Sequence, residues 1–94
     1  MSNTTLSYTV RTVDAWKDEN GGWVWNNSIP CGEIKIPDSA SNREIFKRLR
    51  DANFLTNDSK GTVYIEEFGE RDIEIRLRSN DMPILALMCD SHTE

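Results

Sequence analysis

Short segments of alternating apolar and polar residues, separated by turn residues, make up most of the chain. Such alternation has the period of half-buried β-strands. The segments predicted to be strands span residues 6–13, 23–25, 33–36, 62–66, 72–78 and 84–89. One further segment has helical periodicity and lies between the third and fourth of these. The pattern predicts an α+β fold with the order β-β-(β)-α-β-β-β, in which a mostly antiparallel sheet of about five strands carries one helix on one face.

The helix is predicted over residues 42–53. Ser41 and Glu44 have the spacing of a capping box, in which each side chain satisfies a free backbone N–H at the helix start. Ile45, Phe46, Leu49 and Ala52 then fall on one helical face, which predicts the side that packs on the sheet. Phe54 and Leu55 are expected to turn back toward the core.

Turn residues and apolar runs define how the strands connect. Asn20-Gly21-Gly22 predicts a hairpin turn, and Asn26–Pro30 predicts a bulge or an edge position, because proline cannot donate to a β-ladder. Residues 84–89 are apolar throughout, which predicts a central strand buried on both faces. In the strand at 72–78 the isoleucines and Leu77 are expected to face inward and Glu74, Arg76 and Arg78 outward.

Composition limits the class of protein. Ninety-four residues, of which 37% are hydrophobic, predict a single globular domain over residues 1–94. A net charge of −5 argues against direct binding to a nucleic-acid backbone, which requires Lys and Arg. There is no apolar run long enough to span a bilayer, and Met1–Thr5 lacks the shape of a signal peptide. Only Cys31 and Cys89 are present, so we expect no disulfide scaffold and a cytoplasmic location.

Candidate catalytic groups are few. His92 is the only histidine and lies in a polar C-terminal segment that is expected to fray, where its imidazole would not be held in place for catalysis or metal binding. The chain contains neither the HExxH nor the CxxC motif, and it has no glycine-rich phosphate loop. Residues spaced like Glu70, Asp72 and Glu74 can share a strand face, but a solvated face explains them better than a metal site. We therefore expect a protein that is not an enzyme and needs no cofactor or metal.

Two surfaces are candidates for binding a partner. The first combines tryptophan anchors with strand carboxylates: Trp23, Trp25, Glu66, Glu67, Glu70, Asp72 and Glu74. The alternative is that the tryptophans pack in the core and the carboxylates are merely solvated. The second surface is a basic helical stripe formed by Arg43, Lys47 and Arg50, for which the alternative is a solvated face stabilised by an Arg48–Glu44 pair.

Three stretches suggest a source. Asp14-Ala-Trp16, Gly22–Ser28 and Gly32–Pro37 resemble sequences found among small acidic accessory proteins of phages and mobile elements, which include anti-CRISPR and anti-restriction inhibitors. The resemblance implies a non-enzymatic inhibitor that acts in the host cytoplasm and blocks a bacterial nucleic-acid-handling defence complex. Its partner would be a protein such as a nuclease or a CRISPR effector subunit. The alternative function is a structural or assembly subunit that forms a homo-oligomer such as a homodimer.

Overall fold

Five strands and one helix form the fold in a computed structural model, which describes residues 4–56, 59, 61–69 and 71–90. The elements are β1 (Thr5–Lys17), β2 (Trp23–Pro37), α1 (Asn42–Asp51), β3 (Val63–Phe68), β4 (Asp72–Leu77) and β5 (Met82–Cys89). The strands lie in the order β2-β1-β5-β4-β3, and all neighbours are antiparallel. The predicted α+β class is confirmed, and the apolar strand β5 is central as predicted.

The prediction of two separate strands at 23–25 and 33–36 was wrong, because both belong to the continuous strand β2. The register between β1 and β2 shifts at Val10/Arg11 and again at Thr12/Val13, so β2 carries one extra residue at each shift. These bulges absorb the interruption predicted at Asn26–Pro30. Pro30 is tolerated because β2 is an edge strand and one side of its backbone needs no ladder partner.

Helix α1 begins as predicted but ends slightly earlier. Ser41 Oγ accepts a hydrogen bond from the backbone N–H of Glu44 at 3.2 Å, which caps the first turn. Asn53 has a left-handed backbone with φ of 68°, and this ends the helix just after Asp51. The Phe54 N–H then donates to the Leu49 carbonyl at 2.8 Å, which turns the chain back toward the sheet.

The hydrophobic core lies between α1 and one face of the sheet, which we call the helix face. Ile45 and Leu49 of α1 pack against alternate residues of all five strands. The strand residues buried on this face are Leu6, Tyr8, Val10, Ile34, Ile36, Val63, Ile73, Ile75, Leu85, Leu87 and Cys89. Leu55 is buried with them, and Phe54 packs against the cluster. In β4, the prediction that Ile73, Ile75 and Leu77 face inward is confirmed, since both isoleucines belong to the core and Leu77 packs against it.

The first hairpin is much longer than the rest of the sheet. β5 pairs with β1 over Tyr8–Thr12, whereas β1 continues to Lys17. Residues 13–27 therefore form a two-stranded extension, which we call the hairpin arm. Its turn is fixed by Asp18, whose Oδ1 accepts hydrogen bonds from the N–H groups of Asn20 at 3.0 Å and Gly22 at 2.8 Å.

The hairpin arm folds over the sheet face opposite the helix, which we call the arm face. The rings of Trp25 in β2 and Phe68 in β3 meet edge to face, with their centroids 5.7 Å apart. β2 and β3 are the two outermost strands, and in a flat five-stranded sheet they would lie about 19 Å apart. The contact therefore requires the arm to cross the sheet from β2 toward β3. The two bulges in β2 allow the hairpin to bend in this way.

Candidate functional site

Glu74 is buried beneath the hairpin arm, with only 2% of its surface exposed. The prediction that Glu74 faces solvent was wrong, because alternation identifies the face of a strand but not whether another segment covers that face. Glu74 Oε1 accepts hydrogen bonds from Arg76 Nη2 at 2.6 Å and from Arg76 Nε at 2.9 Å. Arg76 also donates to the Asp81 carbonyl at 2.8 Å. Glu74 is therefore part of the interior and is not placed to meet a partner.

The other predicted carboxylates do not form one acidic surface. Glu66 and Glu67 are both exposed but lie on opposite faces of β3, as expected for adjacent strand residues. Asp72 is half-buried, and its Oδ1 accepts a hydrogen bond from the Cys89 N–H at 2.8 Å, which ties β4 to the end of β5. Glu70 lies outside the described residues. Among the carboxylates that are described, Glu66 alone combines exposure with a place on the arm face next to Glu74.

The basic stripe on α1 is partly neutralised within the helix. Lys47 Nζ lies 3.0 Å from Asp51 Oδ2, and the predicted pair between Arg48 and Glu44 is present at 2.7 Å. Arg43 is exposed and Arg50 is half-buried. Exposed pairs of this kind contribute little to stability and moderate the local field. The stripe is therefore a weaker electrostatic feature than its sequence suggests.

Trp23 and Trp25 alternate along β2 and therefore share one face, which is the inner side of the hairpin arm. Both are half-buried. Trp25 packs on Phe68, and the Lys17 ammonium lies 5.3 Å from the centre of the Trp23 ring. The contact between Trp25 and Phe68 holds the arm against the sheet, whereas the contact between Lys17 and Trp23 joins the two strands of the arm itself. The two rings thus have an internal role, which leaves the outer side of the arm for a partner.

The outer side of the hairpin arm, together with the residue pair Thr12 and Ile29 at its base, presents an apolar strip that sequence reasoning missed. Trp16 is 53% exposed, its direct cross-strand partner Val24 is 37% exposed, and Ile29 opposite Thr12 is 62% exposed. We call these three residues the outer strip. Thr12, Asp14 and Trp16 alternate along β1, so all three lie on the same side of the arm. The polar residues Thr12 and Asp14, which share this side of β1 with Trp16, were the sequence signal that Trp16 faces solvent.

The charge around the outer strip is negative. Asp14 lies between Trp16 and Thr12 on the same side, and Asp18 and Glu19 follow in the exposed turn. Lys17 is directed to the inner side, where it contacts Trp23. Exposed aromatic and aliphatic groups with a polar margin are typical of protein-docking surfaces. The outer strip therefore combines exposed apolar side chains with an acidic margin.

Tyr8 is a buried ionisable group on the helix face. Burial raises the pKa of its phenol above the ordinary value of 10.0, and nearby Cys89 and Asp38 add to the rise, while Arg71 opposes it. The folded protein therefore keeps the Tyr8 proton at a pH at which the unfolded chain releases it. The stability that Tyr8 contributes is complete below pH 10 and is lost as the pH rises further.

We expect the urea midpoint of the protein to fall between pH 9 and pH 11, and Tyr8→Phe to remove part of this fall. The contribution of a single group is at most about 1.4 kcal/mol per pH unit. Tyr64→Phe is the control, because Tyr64 is half-buried and lies 5.5 Å from the Arg78 guanidinium. If both variants show the same pH dependence as the parent, burial of the Tyr8 phenol is not its source.

No group of three or more His, Cys, Asp and Glu side chains is placed to hold a metal ion among the described residues. Within the same part of the chain, no helix has the length and apolarity needed to cross a membrane. No protein-family model matches the chain, and no curated protein or solved structure is significantly similar to it.

Proposed function

We propose that this chain is a non-enzymatic binding protein that docks on another protein through the outer strip. The observation that carries the proposal is the exposure of Trp16, Val24 and Ile29 on one side of a hairpin that is held in place by its other side. A tryptophan on a fixed strand loses little conformational entropy when it enters a partner's pocket. The outer strip is thus preorganised for binding.

The partner that fits best is a basic, nucleic-acid-handling protein of a bacterial defence system. Asp14, Asp18 and Glu19 give the hairpin arm an acidic margin, and the net charge of the whole chain is −5. Proteins that bind nucleic acids carry basic grooves, in which an acidic arm would compete for the phosphate sites. By this reasoning the protein blocks its target by occupying that groove, as inhibitors encoded by phages and mobile elements do.

The test is capture of a partner by the immobilised protein from a bacterial lysate, compared between the parent and Trp16→Ala. We expect Trp16→Ala to weaken binding at least about 30-fold, because central tryptophans contribute about 2 kcal/mol or more. The control is Lys47→Ala on the opposite side of the molecule, which should leave binding unchanged. The captured protein should bind nucleic acid, and adding the parent protein should release it. Binding should also weaken at high salt.

Two results would count against the proposal. If Trp16→Ala and Lys47→Ala retain the partner equally well, the outer strip is not the docking site. If the partner keeps its nucleic acid in the presence of an excess of the parent protein, the proposal that the protein occupies the nucleic-acid-binding groove is wrong. Sedimentation of the purified protein at several concentrations tests the alternative function, since a homodimer dispersed by Trp16→Ala would mean that the strip binds a second copy.

A further inference from the structure

A groove of about 400 Å³ lies on the helix face, far from the outer strip, where α1 begins and β3 turns into β4. It is open because a ten-residue helix is about 15 Å long and cannot cover a sheet of five strands. The chain segment with Phe54 and Leu55 covers the other end of this face. The floor of the groove is apolar and is formed by Leu6, Ile36, Ile45, Ile65 and Ile73.

Tyr8 lies in this floor with 5% of its surface exposed. No described residue forms a hydrogen bond with its hydroxyl group. Asp38, Arg71 and Asp72 line the same groove as Tyr8, and their charges act on the pKa of its phenol. A ligand in the groove that forms a hydrogen bond with this hydroxyl satisfies a buried polar group.

The rim of the groove favours a positive charge. It carries the carboxylates of Asp38, Glu67 and Asp72 and the guanidinium of Arg71. The N-terminus of α1 adds a partial positive charge of about one half, which does not reverse the sign. Asp38 and Glu67 are exposed, whereas Asp72 is already engaged by the Cys89 N–H. The two exposed carboxylates are therefore the groups available to a ligand.

We propose that this groove binds a small organic cation with an apolar chain, such as an alkylammonium ion. The ammonium group is held by the rim carboxylates of Asp38 and Glu67 and donates a hydrogen bond to the Tyr8 hydroxyl. The alkyl chain lies on the isoleucines of the floor. This inference does not depend on the proposed docking function, because the groove and the outer strip share no residue.

The test is an NMR titration of the purified protein with hexylammonium, hexanol and hexanoate at constant ionic strength. We expect hexylammonium to give saturable shifts at the amides of Leu6, Ile36 and Ile65, with a dissociation constant on the order of 1 mM. Hexanoate should bind at least about tenfold more weakly, because the rim repels it. Equal binding of hexylammonium and hexanoate, or no saturable shift at tens of millimolar, would overturn the proposal.

Matched variants separate the roles of the groups. Tyr8→Phe keeps the ring and removes the hydroxyl, and it should weaken hexylammonium about fivefold. Glu67→Gln should weaken hexylammonium binding about threefold. Glu66→Gln should have no effect, because this substitution removes the same charge on the opposite face of β3. If the two glutamate variants behave alike, or if Tyr8→Phe binds as well as the parent, the assignment of the site is wrong.

Discussion

Replacing Glu74 by leucine is expected to lower the free energy of unfolding by about 3 kcal/mol, because it leaves the Arg76 guanidinium without its carboxylate beneath the hairpin arm. Breaking a buried pair by removing one partner costs about 3–5 kcal/mol. The lower end applies here, since Arg76 keeps its bond to the Asp81 carbonyl and lies 3.6 Å from the Asp81 carboxylate. Urea denaturation followed by circular dichroism measures the change.

The chain offers a close control for this substitution. Glu66 is the direct cross-strand partner of Glu74 on the same face but is exposed, so Glu66→Leu should change stability by less than about 0.5 kcal/mol. The double variant Glu74→Leu with Arg76→Met should recover most of the loss, because it removes the unpaired charge. Equal effects of the two single glutamate substitutions would show that the arm does not bury Glu74 in solution.

Replacing Trp25 by alanine is expected to cost about 2 kcal/mol and to release the hairpin arm from the sheet. Trp25 is half-buried, and its edge-to-face contact with Phe68 joins the two outermost strands. The substitution removes that contact and uncovers the arm face, including the fully buried Ala86. Amide hydrogen exchange should accelerate over Val24 to Asn26 and at Ala15, because residues 13–27 lack other ladder partners among the described strands.

Trp16→Ala on the same arm is the matched control. Trp16 faces outward, so its loss should change stability by less than about 0.5 kcal/mol and leave exchange in the arm slow. The two variants also separate folding from binding, since Trp25→Ala disturbs the arm whereas Trp16→Ala removes only the proposed anchor. If Trp16→Ala destabilises the protein as much as Trp25→Ala does, the assignment of the inner and outer sides is reversed.

The hairpin arm connects stability with the proposed function. Its inner side is fixed on the sheet by the contact of Trp25 with Phe68. Within the arm, the Lys17 ammonium beside Trp23 joins the two strands, and the Asp18 carboxylate fixes the turn. A two-stranded hairpin alone is only marginally stable in water. Because the contact with Phe68 holds the arm over the sheet, the outer strip is presented on a rigid support, which reduces the entropy lost on binding.

Local sequence determined most of the secondary structure. Ser41 and Glu44 defined the start of α1, Asn20-Gly21-Gly22 defined the hairpin turn, and the apolar run at 84–89 defined the central strand. These features depend on backbone preferences and on periodicity, which neighbouring residues fix among themselves.

Only the tertiary structure decided which strand faces are covered. Glu74 and Glu66 lie opposite each other on the same sheet face, and both alternate with apolar residues. Glu74 is nevertheless buried and Glu66 exposed, because the hairpin arm covers Glu74. Trp16 and Trp25 likewise lie on one hairpin and differ only in the side of the ribbon that meets Phe68. The periodicity of a strand assigns each side chain to one face of the strand. Whether that face is covered depends on distant contacts, such as the one between Trp25 and Phe68, which are 43 positions apart in the chain. That pairing depends on the path of the whole chain, and no local pattern contains it.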